Sequence, residues 1–345
     1  MGMASSNKLH IASSLAFIIL CAAGMPFVAL AVEEDPRAIL RNALKIQEKM
    51  AISGRARMVL AVDDRMIDME AMVYKNGPRM RMECLTPPFK GRVMIDDGRR
   101  IAWIDPSARW ISIRNTLNPI LSIDLFLKNY KAELMGEEKV AGIMAYGIKA
   151  SPLKGSGPYI KIWIGKENPV ILKMERYNSS GRLISRIGFK EVELKEKALD
   201  PDMFSLPKGW RMERDVEFEK EMPLSKIGEV AGFEPIIPSY IPKGYELIGA
   251  FIVSNRDGSM DICLRYSDGL GILSIYEGMI SGFRKERMMR GRGMGRGPRF
   301  TMVPGRFGNM AVMRGIGMRT IIVGDLPDDE LRRIGESIMK GGERR

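Results

Sequence analysis

The run Lys75–Trp110, KNGPRMRMECLTPPFKGRVMIDDGRRIAWIDPSARW, alternates where a strand would and breaks where a hairpin would. Arg79, Arg81 and Glu83 interleave with Met80, Met82 and Cys84. A period of two puts the charged side chains on one face and the sulfur-bearing ones on the other, the mark of a half-buried antiparallel strand. Asn76-Gly77-Pro78 ahead of it and Asp97-Gly98 beyond it carry the residues that tight turns demand.

The alternation recurs outward from this run. Ile67, Met69, Ala71 and Val73 share a face of Ile67–Val73, and Ile160, Ile162 and Ile164 share one of Tyr159–Ile164. Val170, Leu172 and Met174 share one of Val170–Tyr177, and Ser180-Gly181 closes a further hairpin. Helical spacing appears in two places. One is Pro36–Met50, with Ile39, Ala43, Leu44, Ile46 and Met50; the other is Pro119–Tyr130, with Leu121, Leu125 and Phe126 turned inward. Many strands around few helices predict an α+β fold. Its first part is an unclosed antiparallel β-barrel, a curved sheet with helices on its concave face.

The inward positions Met69, Met80, Met82, Ile162, Leu172 and Met174 are candidates for the lining of an apolar, lipid-binding cavity. Methionine is unbranched and polarisable, which suits a cavity that must accept acyl chains of varied shape. The chain holds 27 methionines, several in loops, so a general preference for methionine accounts for the same pattern.

Arg211–Met222, RMERDVEFEKEM, is dense in charge, lacks a period and reads as a linker. Pro235, Pro238 and Pro242 stiffen Phe233–Tyr245 beyond it. Strands follow near Glu246–Ser254, Met260–Tyr266 and Leu270–Glu277, with Asp268-Gly269 as the turn, and again near Asn309–Met313 and Met318–Val323. A last helix, Pro327–Lys340, opens with Asp328, Asp329 and Glu330 at the positive end of its dipole and stops at Gly341. The expected division is a signal peptide over 1–31, a first domain over 32–210, the linker 211–222 and a smaller α+β domain over 223–345.

The amino terminus sets the compartment. Lys8, an apolar run from Ile11 to Gly24 and the triplet Ala29-Leu30-Ala31 have the layout of a cleaved secretory signal, which places a mature chain starting at Val32 in a periplasm. Leu20 stands before Cys21 where a lipoprotein signal needs a small residue. Cys84 and Cys263 remain after cleavage; two distant cysteines are no disulfide framework and are expected as buried thiols. The one histidine, His10, falls inside the signal peptide. A mature chain without histidine builds no Ser-His-Asp triad, Cys-His pair or histidine metal site. The pairs Asp63-Asp64, Asp96-Asp97 and Asp328-Asp329 sit at expected turns and a helix start, where neighbours seldom face each other across a substrate. No Walker A, GxSxG or CxxC pattern is present. The expectation is a protein that is not an enzyme and has no cofactor or metal.

The formal charge is +12, and Arg284–Arg306 alone holds eight Arg or Lys against one Glu. Its core, RKERMMRGRGMGRGPRF (284–300), would suggest RNA binding in the cytoplasm. Outside the cytoplasm it fits no nucleic acid. Arg290, Arg292, Arg296 and Arg299 are instead candidates for contact with an anionic membrane surface or an acidic partner. The same charge opposes a copper ion on Met288, Met289, Met294 and Met302. A solvated loop that only aids solubility is the alternative.

Residues 75–110 resemble the core of periplasmic lipoprotein-carrier domains. The shared features are an R-x-R-x-E-like strand at Arg79–Glu83, a proline-rich step, an xDG hairpin and a W-x-D-P turn at Trp103–Pro106. VAGFEPIIPSYIPKGYEL (230–247), LRYSDGLGILSIYE (264–277) and TIIVGDLPDDELRRIGESI (320–338) resemble the C-terminal domain of the MucB/RseB sigma-E regulatory family. The resemblance implies a periplasmic envelope-stress regulator. Such a protein binds the periplasmic domain of an anti-sigma factor, shields it from proteolysis and senses lipid or lipoprotein acyl chains in its first domain. The alternative is a lipid or lipoprotein carrier of the outer-membrane sorting type. The glycine–arginine expansion at 284–306 departs from the family pattern.

Overall fold

The alternating segments pair into two sheets in the computed structural model. It describes residues 34–47, 49–62, 65–98, 100–115, 122–154, 157–195, 197–214, 218–255, 258–280, 299–305, 308–314 and 317–342. Helix α1 (Pro36–Gln47) precedes a six-strand meander: β1 (Ala51–Val62), β2 (Arg65–Asn76), β3 (Arg79–Cys84), β4 (Val93–Asp96), β5 (Arg100–Asp105) and β6 (Trp110–Asn115). Helix α2 (Ile123–Asn129) opens a second meander of β7 (Tyr130–Val140), β8 (Ile143–Pro152), β9 (Tyr159–Gly165), β10 (Ile171–Tyr177) and β11 (Leu183–Lys195). β11 pairs antiparallel with β1 and joins the two meanders into one sheet. With β12 (Arg211–Arg214) that sheet has twelve strands, in the order β12-β6-β5-β4-β3-β2-β1-β11-β10-β9-β8-β7. Its end strands, β12 and β7, do not pair, so the curved sheet stays an unclosed barrel.

The second sheet is smaller. β13 (Phe218–Glu221), β14 (Glu246–Ser254), β15 (Met260–Ser267), β16 (Ile272–Met279), β17 (Arg299–Gly305), β18 (Gly308–Arg314) and β19 (Met318–Gly324) run in the order β13-β14-β15-β16-β19-β18-β17. Helices α3 (Leu224–Ala231) and α4 (Asp328–Gly342) cover it. Leu331, Ile334 and Ile338, at helical spacing on α4, close over Ile252, Leu264, Leu273, Ile275, Met313 and Ile322. The proline-stiffened stretch runs alongside, where Tyr240 donates its hydroxyl hydrogen to Glu330 (2.5 Å). Residues Asp35–Arg345 form one compact unit.

Four local differences from expectation have physical reasons. Helix α1 stops at Gln47, because Ala51 already belongs to β1. Helix α2 buries Phe126 and Leu127, not Leu125, and Leu121 lies outside the described residues. Its start is set by Ser122, whose hydroxyl accepts from the Leu125 amide (3.3 Å). The charged joining segment is not plain coil. Its first four residues add β12 to β6 as a parallel strand, and Phe218–Glu221 pairs with β14, so each end extends one sheet. β17 (Arg299–Gly305) falls inside 284–306, which the sequence reads as a basic loop; it lies at the sheet's edge, where Pro304 is tolerated.

Candidate functional site

Cross-strand pairing decides which side chains share the first sheet's inner face. Leu134, Ile148, Ile162, Met174, Ile187, Met58 and Met69 stand directly opposite one another on successive strands from β7 to β2. Directly opposed residues lie on one face, so this is a single apolar row. The same register carries the face on through Val73 to Met82, Met94 and Trp103.

Two buried clusters occupy this face. Met58, Met69, Met82, Met94 and Cys84 form one around Ala56 and Ala71, with Met80 packed against it. The second lies under α1 and α2 and joins Leu40, Phe126, Leu127, Tyr130, Ile148, Ile160, Ile162 and Ile164, with Met174 packed against it. Between them Ile187 is 40% exposed.

Of the six expected lining residues, Met69, Met80 and Met82 fall in the first cluster and Ile162 and Met174 in the second. Leu172 does not join them. The β9–β10 register shifts between Ile171 and Lys173, which breaks the alternation and sends Leu172 to a separate cluster with Trp163 and Val170. Met58, Met94 and Ile187 were missed. They are neighbours of methionine-bearing positions, and a pairing register would have found them.

The second sheet reaches this face with the hairpin tip Ser267–Gly271, between β15 and β16, and Gly244, Glu246 and Asp325 add contacts beside it. Asp268, which is buried, organises it. One carboxylate oxygen accepts from the amides of Leu270 (3.0 Å) and Gly271 (2.6 Å). The other accepts from the Tyr130 hydroxyl (2.9 Å) at the start of β7. Asn129 donates from its side-chain amide to the carbonyls of Asp268 (3.0 Å) and Gly244 (2.9 Å). Lys128 pairs with Glu246 at the exposed rim (2.5 Å). Leu270, 1% exposed, sits inside the cluster under α1 and α2, so a residue of the second sheet belongs to the first sheet's core. Full burial of such a side chain contributes about 2 kcal/mol.

The junction is otherwise polar. Burial pushes the Tyr130 phenol far above its ordinary range, and the Asp268 charge adds to the shift. Burial raises Tyr245 in the same way, with Asp268 and Asp325 beside it. The Tyr245 hydroxyl is buried without a hydrogen-bond partner among the described residues. The Asp325 carboxyl is raised by burial; Arg176 and the Ser179 amide (3.4 Å) oppose the rise and Asp268 adds to it.

Other expectations fall elsewhere. The signal peptide over 1–31 lies outside the described residues, as do Arg290, Arg292 and Arg296. Arg299 opens β17, and its side chain is also outside the description. Cys84 and Cys263 are both buried and form no disulfide. Among the described residues, no helix is long and apolar enough to cross a membrane. No group of three or more His, Cys, Asp or Glu there could hold a metal ion. A cavity of about 210 Å³ opens among Ile95, Ala102, Ile113, Phe204 and Leu206, with Asp97 and Arg100 beside it. It shares no residue with the expected lining.

These features define a class of fold: an unclosed curved sheet with an apolar inner face, joined through a hairpin tip to a smaller helix-covered sheet. Solved structures of MucB have this fold. MucB in complex with MucA(peri) is similar over 88% of this chain and 98% of that one, with TM-score 0.57 and 16% identity. The complex of Pseudomonas aeruginosa MucA/MucB is similar over 87% and 97%, with TM-score 0.58 and 15% identity. A family model described as "Uncharacterized protein" matches residues 116–217. No curated protein matches the sequence.

Proposed function

We propose that this protein is a periplasmic regulator that binds the periplasmic segment of a membrane anti-sigma factor. In this reading it acts by binding rather than turnover, and it responds to lipid or lipoprotein chains received on the inner face of the first sheet. The observation that carries the reading is the extent of the likeness. It spans both sheets in chain order and nearly the whole of a protein solved together with MucA(peri). A carrier domain alone would account for the first sheet and leave the second without a role. Titration of the mature chain, residues 32–345, with the periplasmic segment of an anti-sigma factor from the same organism tests the proposal. Saturable binding at about micromolar affinity or tighter is expected. No complex at tens of micromolar would overturn it.

One observation favours a carrier as the second reading: the exposed Ile187 between two buried methionine- and isoleucine-rich clusters, where an acyl chain could enter. A carrier hands its lipid on to an acceptor, whereas a sensor keeps it. Transfer of a bound fluorescent fatty acid to an outer-membrane lipoprotein receptor would favour the carrier.

A further inference from the structure

The tip Ser267–Gly271 is shaped to enter another element rather than to turn in solvent. Ser267 braces it from within, donating its hydroxyl hydrogen to the Gly271 carbonyl (2.8 Å) and accepting from the Gly269 amide (3.0 Å). Gly269 has φ +103°, and a Cβ there would stand 2.3 Å from the Phe126 amide nitrogen of α2. A Cβ on Gly271 would stand 2.2 Å from the Tyr245 hydroxyl. Two glycines thus bring the backbone against α2 and Tyr245, and Leu270 between them is delivered to the cluster under α1 and α2.

We propose that this tip is a releasable latch: Leu270 occupies a seat in the first sheet's core, and an aliphatic chain entering along the inner face expels it and frees the second sheet. Three observations carry this. Leu270 is the one apolar side chain of the tip, so a single leucine-sized contact holds it in that core. The surroundings are polar and partly unsatisfied: the Tyr245 hydroxyl has no partner among the described residues, and the Asp268 charge adds to the rise that burial gives the Asp325 carboxyl. Such groups regain water on release, which lowers the cost of opening. A row of apolar side chains also leads to the seat. From Ile187, 40% exposed, the row runs through Met174 and Ile162 to Ile148 in Leu270's own cluster. Three strand spacings make this row about 14 Å long. Its side chains are aliphatic or thioether, which suits an acyl chain.

The latch rests on the acyl-chain part of the reading above, and its test separates the two. The mature protein is titrated with cis-parinaric acid, and amide hydrogen exchange is followed in 267–271. Saturating probe is expected to speed exchange at Leu270 and Gly271, which are buried while the tip is seated. Leu270→Ala is expected to bind the probe about tenfold more tightly, because the vacated seat raises the fraction of competent molecules. Probe binding with unchanged exchange, or with unchanged affinity in Leu270→Ala, overturns the latch and leaves acyl binding standing. No binding by either protein overturns both. The exchange measurement on the unaltered chain decides the matter even where Leu270→Ala folds poorly.

Discussion

At Gly269 two constraints meet. Its φ of +103° lies where side chains are rarely tolerated, and the space a Cβ would fill is taken by α2 backbone. Gly269→Ala must therefore lift the tip off the helix or strain it. A loss of about 3 kcal/mol in urea-melt stability is expected, and a loss under about 0.5 kcal/mol would mean that the tip is not held against α2. Asp325 makes a different prediction. Its carboxyl is raised by burial, so the native state keeps a proton that the unfolded chain has already released. Its contribution to stability is fully present below the unfolded value near 3.8 and falls as pH climbs through the raised native value. Asp325→Asn removes this titration while keeping an oxygen to accept the Ser179 amide. The variant should gain stability relative to the parent as pH rises from about 4 toward neutral. Melts across that range check this, and a constant offset would show that Asp325 titrates as it does in the unfolded chain.

Among the elements, legibility followed how local the cause was. Arg79–Cys84 could be read to the residue because each outward position carries a charge and each inward one an apolar or sulfur-bearing side chain. Glu246–Ser254 was also legible, set off by the proline-stiffened stretch before it. Leu172 could not be placed, because a register shift between two strands leaves no mark on either sequence. β1 was missed because Ser53-Gly54-Arg55-Ala56 blurs its alternation. Gly54 is there for close packing, since a Cβ would stand 2.2 Å from the Glu191 carbonyl oxygen of β11. Gly54→Ala is accordingly expected to destabilise the seam between the two meanders by about 2 kcal/mol, measurable by urea melts; a neutral change would mean that the seam can shift freely. Leu270 was read only as the start of a strand, and nothing within Asp268–Gly271 reveals which distant core it enters. The arginine-rich segment is legible as charge alone. Replacing Arg290, Arg292, Arg296 and Arg299 with Ser should weaken binding to anionic vesicles, by about 1 kcal/mol for each residue that touches the surface at low salt. The melting temperature should barely move, and unchanged vesicle binding would mean that the segment's charge only aids solubility.

Across the whole molecule, the question is whether two sheets behave as one. The contact between them includes an apolar plug, Leu270, and a polar clasp of Tyr130, Asp268 and Asn129. The clasp spans the sheets: Tyr130 begins β7 and Asp268 follows β15. If the clasp transmits stability, its two ends cannot act independently. Tyr130→Phe removes the donor and leaves a buried carboxylate oxygen short of a partner, at a cost of about 2 kcal/mol. Asp268→Asn removes the charge while keeping an oxygen for the Leu270 and Gly271 amides, so the tip retains its shape. Made together, the two changes should cost less than their sum, with a coupling of about 1–2 kcal/mol from a double-mutant cycle in urea. The parent should also unfold in one transition by both fluorescence and circular dichroism, since neither sheet can melt without exposing the other's leucine seat. Strict additivity, or two separate transitions in the parent, would mean that the hairpin tip rests against the first sheet without joining it energetically. Release by an entering acyl chain would then have no stability to act upon.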